Sequence, residues 1–223
     1  MKIDILTLFP SMFDGFIKES IIGRAIKDNK VTINIHNIRD YSKDPHHKVD
    51  DYGYGGGAGM VLMPQPIFDA IDDLKRSDTC IILMTPQGKK YSQKDAKTLV
   101  SKKHIIIICG HYEGFDERIR SLADIEYSIG DYVLTGGELP SMVITDSVVR
   151  LIDGVIENES REFESFEDNL LDYPVYTNPR EYRGMKVPDV LLSGHHENIR
   201  KWRSEEQIKR TKERRPDLLD KED

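Results

Sequence analysis

Ser128–Pro140 reads SIGDYVLTGGELP, with three glycines, Gly130, Gly136 and Gly137, set among short apolar steps. A residue without Cβ lets main-chain N–H and C=O groups come close to another backbone or to a bound molecule. Asp131 and Glu138 stand in the same stretch, where backbone and ligand meet. Two turns of like character lie upstream, Thr85-Pro86-Gln87-Gly88 and Gly110-His111-Tyr112-Glu113-Gly114. Each follows an apolar run rich in isoleucine, Cys80–Met84 and Ile105–Cys109, of the length of a buried strand. Three such loops at adjacent strand ends imply a ligand site at the edge of a parallel sheet.

Working outward, strand-like runs at Ile3–Leu8, Val31–Ile38 and Asp124–Ile129 join those two. They alternate with helical patterns at Ser11–Lys27, Gln65–Lys75, Ser92–Lys102, Phe115–Leu122 and Glu138–Ile152. Alternation of this kind predicts an α/β domain with a mainly parallel sheet and helices on both faces. Met12, Phe13, Phe16, Ile17 and Ile21 recur at helical spacing and read as core. Ser92 reads as an N-cap. The first domain is expected over residues 1–153. Residues 154–169 read as an acidic linker that can lack fixed structure without substrate, since seven of the seventeen residues Asp153–Asn169 are Asp or Glu. Residues 170–223 read as a small helical domain.

Composition narrows the class. The chain has 223 residues, 32% of them charged, and no run of about 18 apolar residues, so no membrane span is expected. The start, MKIDILTLFP, is too short and too acidic for a signal peptide and reads as a strand. Cys80 and Cys109 both fall inside core strands, which predicts reduced thiols and a cytoplasmic location. Net charge is −7, yet Arg200–Arg215 carries eight Lys/Arg against three Glu, a local +5 that leaves −12 on the rest. A basic tail on an acidic body suits phosphate contact, and equally suits a solvated helix face. Gly53–Ala58 matches a relaxed GxGxxG/A pattern, but Lys48–Tyr52 is polar and no strand is expected to feed it, so it reads as a loop near substrate. The pairs His46-His47 and His195-His196 lack a zinc-binding frame, and no metal ligands are assigned.

The three loops, with Ile5–Pro10 (ILTLFP), Tyr54–Met60 (YGGGAGM), Leu171–Pro179 (LDYPVYTNP), Val190–His196 (VLLSGHH) and Ile199–Arg203 (IRKWR), resemble the bacterial tRNA (guanine-N1-)-methyltransferases of the knotted SPOUT class in the same order and over nearly the whole chain. The resemblance implies that the chain near Gly110–Leu151 threads a loop to form a trefoil knot, against the general rule for such sheets. It implies a pocket for S-adenosyl-L-methionine lined by Pro86, Gln87, Gly88, Gly110, Glu113, Ile129, Gly130, Asp131, Tyr132, Val133, Leu134, Gly136, Gly137 and Pro140. Glu113 would stand near the cationic sulfonium and amino group.

Methylating N1 of guanine requires removing its proton and stabilising charge that moves to O6, tasks suited to a carboxylate and an arginine. The resemblance places these at Glu164 and Arg150, with Asp172 touching guanine or raising the Glu164 pKa. Many relatives carry Asp where Glu164 stands, a difference of one methylene, so the base lies between Glu164 and Asp172. The substrate implied is the guanosine immediately 3′ of the anticodon in tRNA, the assembly a homodimer, and a Mg2+ requirement is a further implication. Two rivals remain: a related methylase acting on another RNA position, and a non-catalytic RNA-binding protein.

Overall fold

His104–Cys109 (HIIIIC) has no polar face to show to water. The computed structural model, which describes residues 1–157 and 164–219, buries every residue of it. The strands are β1 Lys2–Thr7, β2 Thr32–Asn37, β3 Asp50–Tyr52, β4 Met60–Leu62, β5 Thr79–Lys90, β6 His104–Cys109, β7 Ile125–Ser128, β8 Glu181–Tyr182 and β9 Met185–Lys186. The helices are α1 Asp14–Lys18, α2 Ser20–Lys27, α3 Pro64–Leu74, α4 Gln93–Leu99, α5 Glu138–Val149, α6 Asp189–Leu192 and α7 His196–Arg214. Five strands form one parallel sheet in the order β2-β1-β6-β5-β7, so the expected α/β architecture is present. Among the described residues the chain divides into two compact units, Met1–Ile156 and Glu157 onward.

Strand period two sorts the core. Ile105 and Ile107 of β6 join Ile3, Ile5 and Ile82 on one face, with Ile22, Leu99, Ile144 and Val148 from α2, α4 and α5. Ile106 and Ile108 join Leu6, Ile81 and Leu83 on the other, under Ile67, Ala70 and Ile71 of α3. Each fully buried isoleucine or leucine contributes roughly 1.5–3 kcal/mol. Pro64 and Pro66 stand in the first turn of α3, where a backbone N–H has no partner within the helix. Ser92 precedes α4 as expected, its backbone N–H donating to Asp95 at 3.0 Å.

Four local expectations change. Ser11–Lys27 is not one helix: a 3-10 turn, Pro10–Phe13, leads into α1, and the chain breaks at Glu19, which is extended (φ −105°, ψ 163°), with Ser20 (φ 54°) opening α2. The break lets Phe13 and Ile22 both reach the core. Phe115–Leu122 keeps only a 3-10 turn, Glu117–Leu122, because Asp116 N–H donates to Leu62 O and the Asp116 side chain accepts from Arg118 N–H. A strand, β3, does precede the glycine run, but the run returns as antiparallel β4, so it is a hairpin. Thr85–Gly88 is not a free turn; it is a bulge inside β5, with the register to β7 shifting between Met84 and Lys89.

The second unit holds a 3-10 turn, Glu167–Asn169, the β8–β9 hairpin, α6 and α7. Leu171 N–H donates to the buried Thr211 hydroxyl at 2.9 Å, and the Arg203 guanidinium lies 4.7 Å from the Tyr173 ring centre. Trp202 is half-buried. Residues 158–163 of the expected acidic linker lie outside the described residues.

One polar cluster sits within the sheet. Asp4, fully buried on β1, accepts from Lys2 (2.6 Å), Asn34 (2.8 Å), His36 (2.9 Å) and His104 (2.6 Å), and His104 Nδ1 meets the Thr79 hydroxyl at 2.7 Å. Burial alone would raise the Asp4 pKa, but the bonds from His36, Lys2, Asn34 and His104 outweigh it and hold the carboxyl well below its ordinary range. Asp4→Asn is expected to lower unfolding free energy in urea at pH 7 by about 3 kcal/mol, since it leaves buried partners uncompensated. The folded pKa is depressed, so the contribution is fully present above the ordinary value of 3.8 and is lost as pH falls below it. The gap between wild type and Asp4→Asn should therefore narrow in acid; a gap constant from pH 7 to pH 3 would contradict this.

Candidate functional site

The loop after β6, the segment after β7 and the β3–β4 hairpin are stitched together by main-chain hydrogen bonds. Gly137 N–H donates to Gly110 O at 2.8 Å, and His111 bridges Gly136 in antiparallel fashion. Glu113 N–H donates to Met60 O at 3.1 Å and Leu62 N–H to Gly114 O at 3.0 Å, tying the β3–β4 hairpin to the loop after β6. The Glu113 side chain packs over Gly59. Between these segments lies a cleft of about 460 Å³, within the ordinary size of a small-molecule site.

All but two of the fourteen residues expected to hold the cofactor line this cleft. Gly88 does not; its α-carbon lies against the Glu126–Tyr127 backbone of β7, where a Cβ would come within 2.6 Å, so it serves the β5–β7 pairing. Asp131 does not either; its exposed carboxylate faces Lys90 at 3.5 Å. Gly137 proves to be a packing glycine: a Cβ there would meet Cys109 Cα at 2.7 Å and Gly110 N at 2.8 Å. The close approach that the glycines permit is thus between two loops, which together shape the wall. Tyr132, Val133 and Leu134 form an apolar lip, exposed at 55%, 85% and 37%.

Several cleft residues were not anticipated. Arg120 bonds to Gln87 and Glu126, lies 5.2 Å from the Phe115 ring centre, and holds the loop after β6 to β5 and β7. Its signal was hidden because Phe115–Leu122 reads as a helix whose register says nothing of Gln87. His111 lines the cleft as well, above the buried Glu138 of α5. Of the three expected catalytic residues, Arg150 caps the end of α5 in the first unit. Glu164 and Asp172 belong to the second, where Ser165 donates its hydroxyl to Asp172 Oδ1 at 2.9 Å and accepts the Asp172 N–H at 3.1 Å. Among the described residues no three His, Cys, Asp or Glu side chains are grouped to hold a metal ion, and no helix is long and apolar enough to cross a membrane.

A parallel α/β sheet with a ligand-sized cleft built from loops at its strand ends defines a protein that binds a small molecule beside its carboxyl edge. Residues 1–221 match the model of the tRNA (guanine-1)-methyltransferase family, TrmD. The chain is 57% identical over 225 residues to the tRNA (guanine-N(1)-)-methyltransferase of Halalkalibacterium halodurans, covering 99% of this chain and 92% of that protein. Proteins of the same name from Bacillus cereus strain G9842 (57% over 228 residues, 100% and 93% covered) and Staphylococcus haemolyticus (57% over 224 residues, 99% and 91% covered) match as well. The chain belongs to the tRNA (guanine-1)-methyltransferase family.

The cleft depends on the loop crossing at Gly137. Gly137→Ala is expected to weaken S-adenosylhomocysteine binding by at least about tenfold in calorimetry and to lower stability by roughly 1–3 kcal/mol, the cost of an overpacked contact. Wild-type affinity in that variant would overturn the link between the crossing and the site.

Proposed function

We propose that this chain transfers a methyl group from S-adenosylmethionine to N1 of the guanosine immediately 3′ of the anticodon in tRNA. The observation that carries this reading is the cleft itself, built by three sequence-distant loops in a chain matched end to end by the family. Its size and the apolar lip suit an adenosine, and its backbone-rich walls suit hydrogen bonds to a base edge. S-adenosylmethionine supplies an electrophilic methyl on a sulfonium, and Glu113, exposed at the cleft, is a carboxylate suited to that cation.

In this reading residues 1–153 hold the cofactor, 154–169 form an acidic linker and 170–223 engage tRNA. Glu164 takes the N1 proton, Arg150 supports the charge that moves to O6, and Asp172 keeps the base poised. The exposed Lys and Arg of α7 supply phosphate contacts. A Mg2+ requirement belongs to this reading as well, as the family resemblance implies. The free, buried Cys80 and Cys109 suit a cytoplasmic site of action.

Homodimerisation has its own support. Leu139 and Val143, one turn apart on α5, are 51% and 46% exposed, and Met12 in the adjoining 3-10 turn and Phe9 just before it are 47% and 37% exposed. Apolar side chains gathered on one helix and the turn packed against it are the kind of surface that a second copy covers. Sedimentation at micromolar concentration should give a dimer mass, and Leu139→Asp/Val143→Asp a monomer mass; a wild-type monomer would remove this part of the reading.

The reaction is tested by single-turnover methyl transfer to two tRNAs, one with guanosine and one with adenosine 3′ of the anticodon. Only the first should be methylated. Glu164→Gln should lose about 10²–10⁴ in rate with cofactor binding intact, the typical effect of removing a positioned base, and Glu164→Asp should lose much less. Full activity of Glu164→Gln would move the base to Asp172, and equal methylation of both tRNAs would overturn the substrate.

A further inference from the structure

Glu138 opens α5 with a carboxylate that is almost wholly buried. Its Oε1 accepts from the Thr7 hydroxyl at 2.7 Å, and that hydroxyl oxygen accepts the Phe9 N–H at 2.9 Å. The helix N-terminus favours negative charge there. Burial, and next the charge of Glu138, push the neighbouring Cys109 thiol above its ordinary range. Oε2 faces Nδ1 of His111 across 4.0 Å, beyond hydrogen-bond reach. That nitrogen is shut off from solvent and has no partner. The ring that carries it lies against Phe9 and Tyr112, with centroids 4.8 and 4.9 Å away, and forms part of the cleft wall. Gly136 leaves the two groups facing each other: a Cβ there would come within 2.6 Å of His111 Nδ1 and collide with Glu138 Oε2.

An unpartnered buried nitrogen opposite a buried acceptor is a contact left open at a cost. We propose that His111 is a positioning residue for the cofactor, and that filling the cleft closes the gap so that His111 Nδ1–H donates to Glu138 Oε2. The inference rests on the reading of the cleft as the S-adenosylmethionine site. A carboxylate oxygen accepts, so the closed pair places a proton on His111 Nδ1. In the Nδ1–H tautomer Nε2 is an acceptor, matched to an amino or hydroxyl group of the ligand. The closed bond joins the loop after β6 to α5 at the point where their backbones already cross.

The test is calorimetric titration of S-adenosylhomocysteine into wild type, His111→Phe, His111→Asn, Glu138→Gln and the double variant His111→Phe/Glu138→Gln, each melted without ligand to register any loss of fold. His111→Phe keeps the ring stack but has no donor, and affinity should fall about tenfold. His111→Asn, whose amide N–H takes the place of Nδ1–H, should recover most of that loss, which a merely space-filling role would not explain. The double variant should bind no more weakly than the poorer single variant. Wild-type affinity in His111→Phe, no recovery in His111→Asn, or losses that multiply in the double variant would overturn the proposal. If Glu138→Gln does not fold, the contrast between His111→Phe and His111→Asn decides alone. Gly137→Ala separates the two readings: normal binding by it and by His111→Phe removes the cofactor cleft, whereas a loss in Gly137→Ala with none in His111→Phe removes only the role of His111.

Discussion

The insertion of β6 between β1 and β5 is the constraint on which the rest of the first unit depends. A strand buried on both faces needs apolar side chains in both registers, and Ile105–Ile108 supply them. Once it is central, its end at Cys109 becomes the point around which the other loops gather. The bulge of β5 lies on one side, the β3–β4 hairpin pairs with the loop that leaves it, and the segment after β7 crosses back over it to begin α5. The cleft is the space these crossings leave. Its walls are tied to one another by main-chain hydrogen bonds and by the Arg120 side chain.

This explains which parts of the fold were legible in the sequence. Runs such as Ile105–Cys109 and Cys80–Met84 carry their own signal, because burial on two faces leaves a continuous apolar stretch. The break at Glu19–Ser20 carries none, since both halves keep a helical period and the kink serves the tertiary need to bury Phe13 and Ile22 together. The loss of a helix at Phe115 has a similar origin. The bonds that Leu62, more than fifty residues away in sequence, donates to Gly114 O and accepts from Asp116 N–H compete with the local preference and win.

The site was legible through its glycines, for a reason only partly the expected one. Gly110, Gly136 and Gly137 mark places where something comes close, and sequence alone does not say whether the neighbour is a ligand or another loop. Gly137 faces the Cys109–Gly110 backbone first, and Gly136 the Glu138 and His111 side chains. Charged partners were less visible. Arg120 with Gln87, and Glu138 with Thr7 and His111, join residues 33, 131 and 27 positions apart, separations at which no periodicity speaks. The acidic sum of the chain likewise says nothing of Arg200–Arg215, whose +5 shows only when charge is counted segment by segment.

The separation of β1 from its central neighbour has a consequence in time. Lys2 pairs with His104, and Asp4 bonds to a histidine one hundred residues further on. A chain growing at about 5–20 residues per second exposes the first strand for roughly 5–20 s before β6 exists to cover it. During that wait β1 has only β2 beside it, and the Asp4 carboxylate lacks its His104 partner. An early strand that stays polar at Lys2, Asp4 and Thr7 is less prone to stick to other nascent chains than an all-apolar one. The buried charge that the finished sheet must satisfy is thus a solubilising group while the chain is still being made.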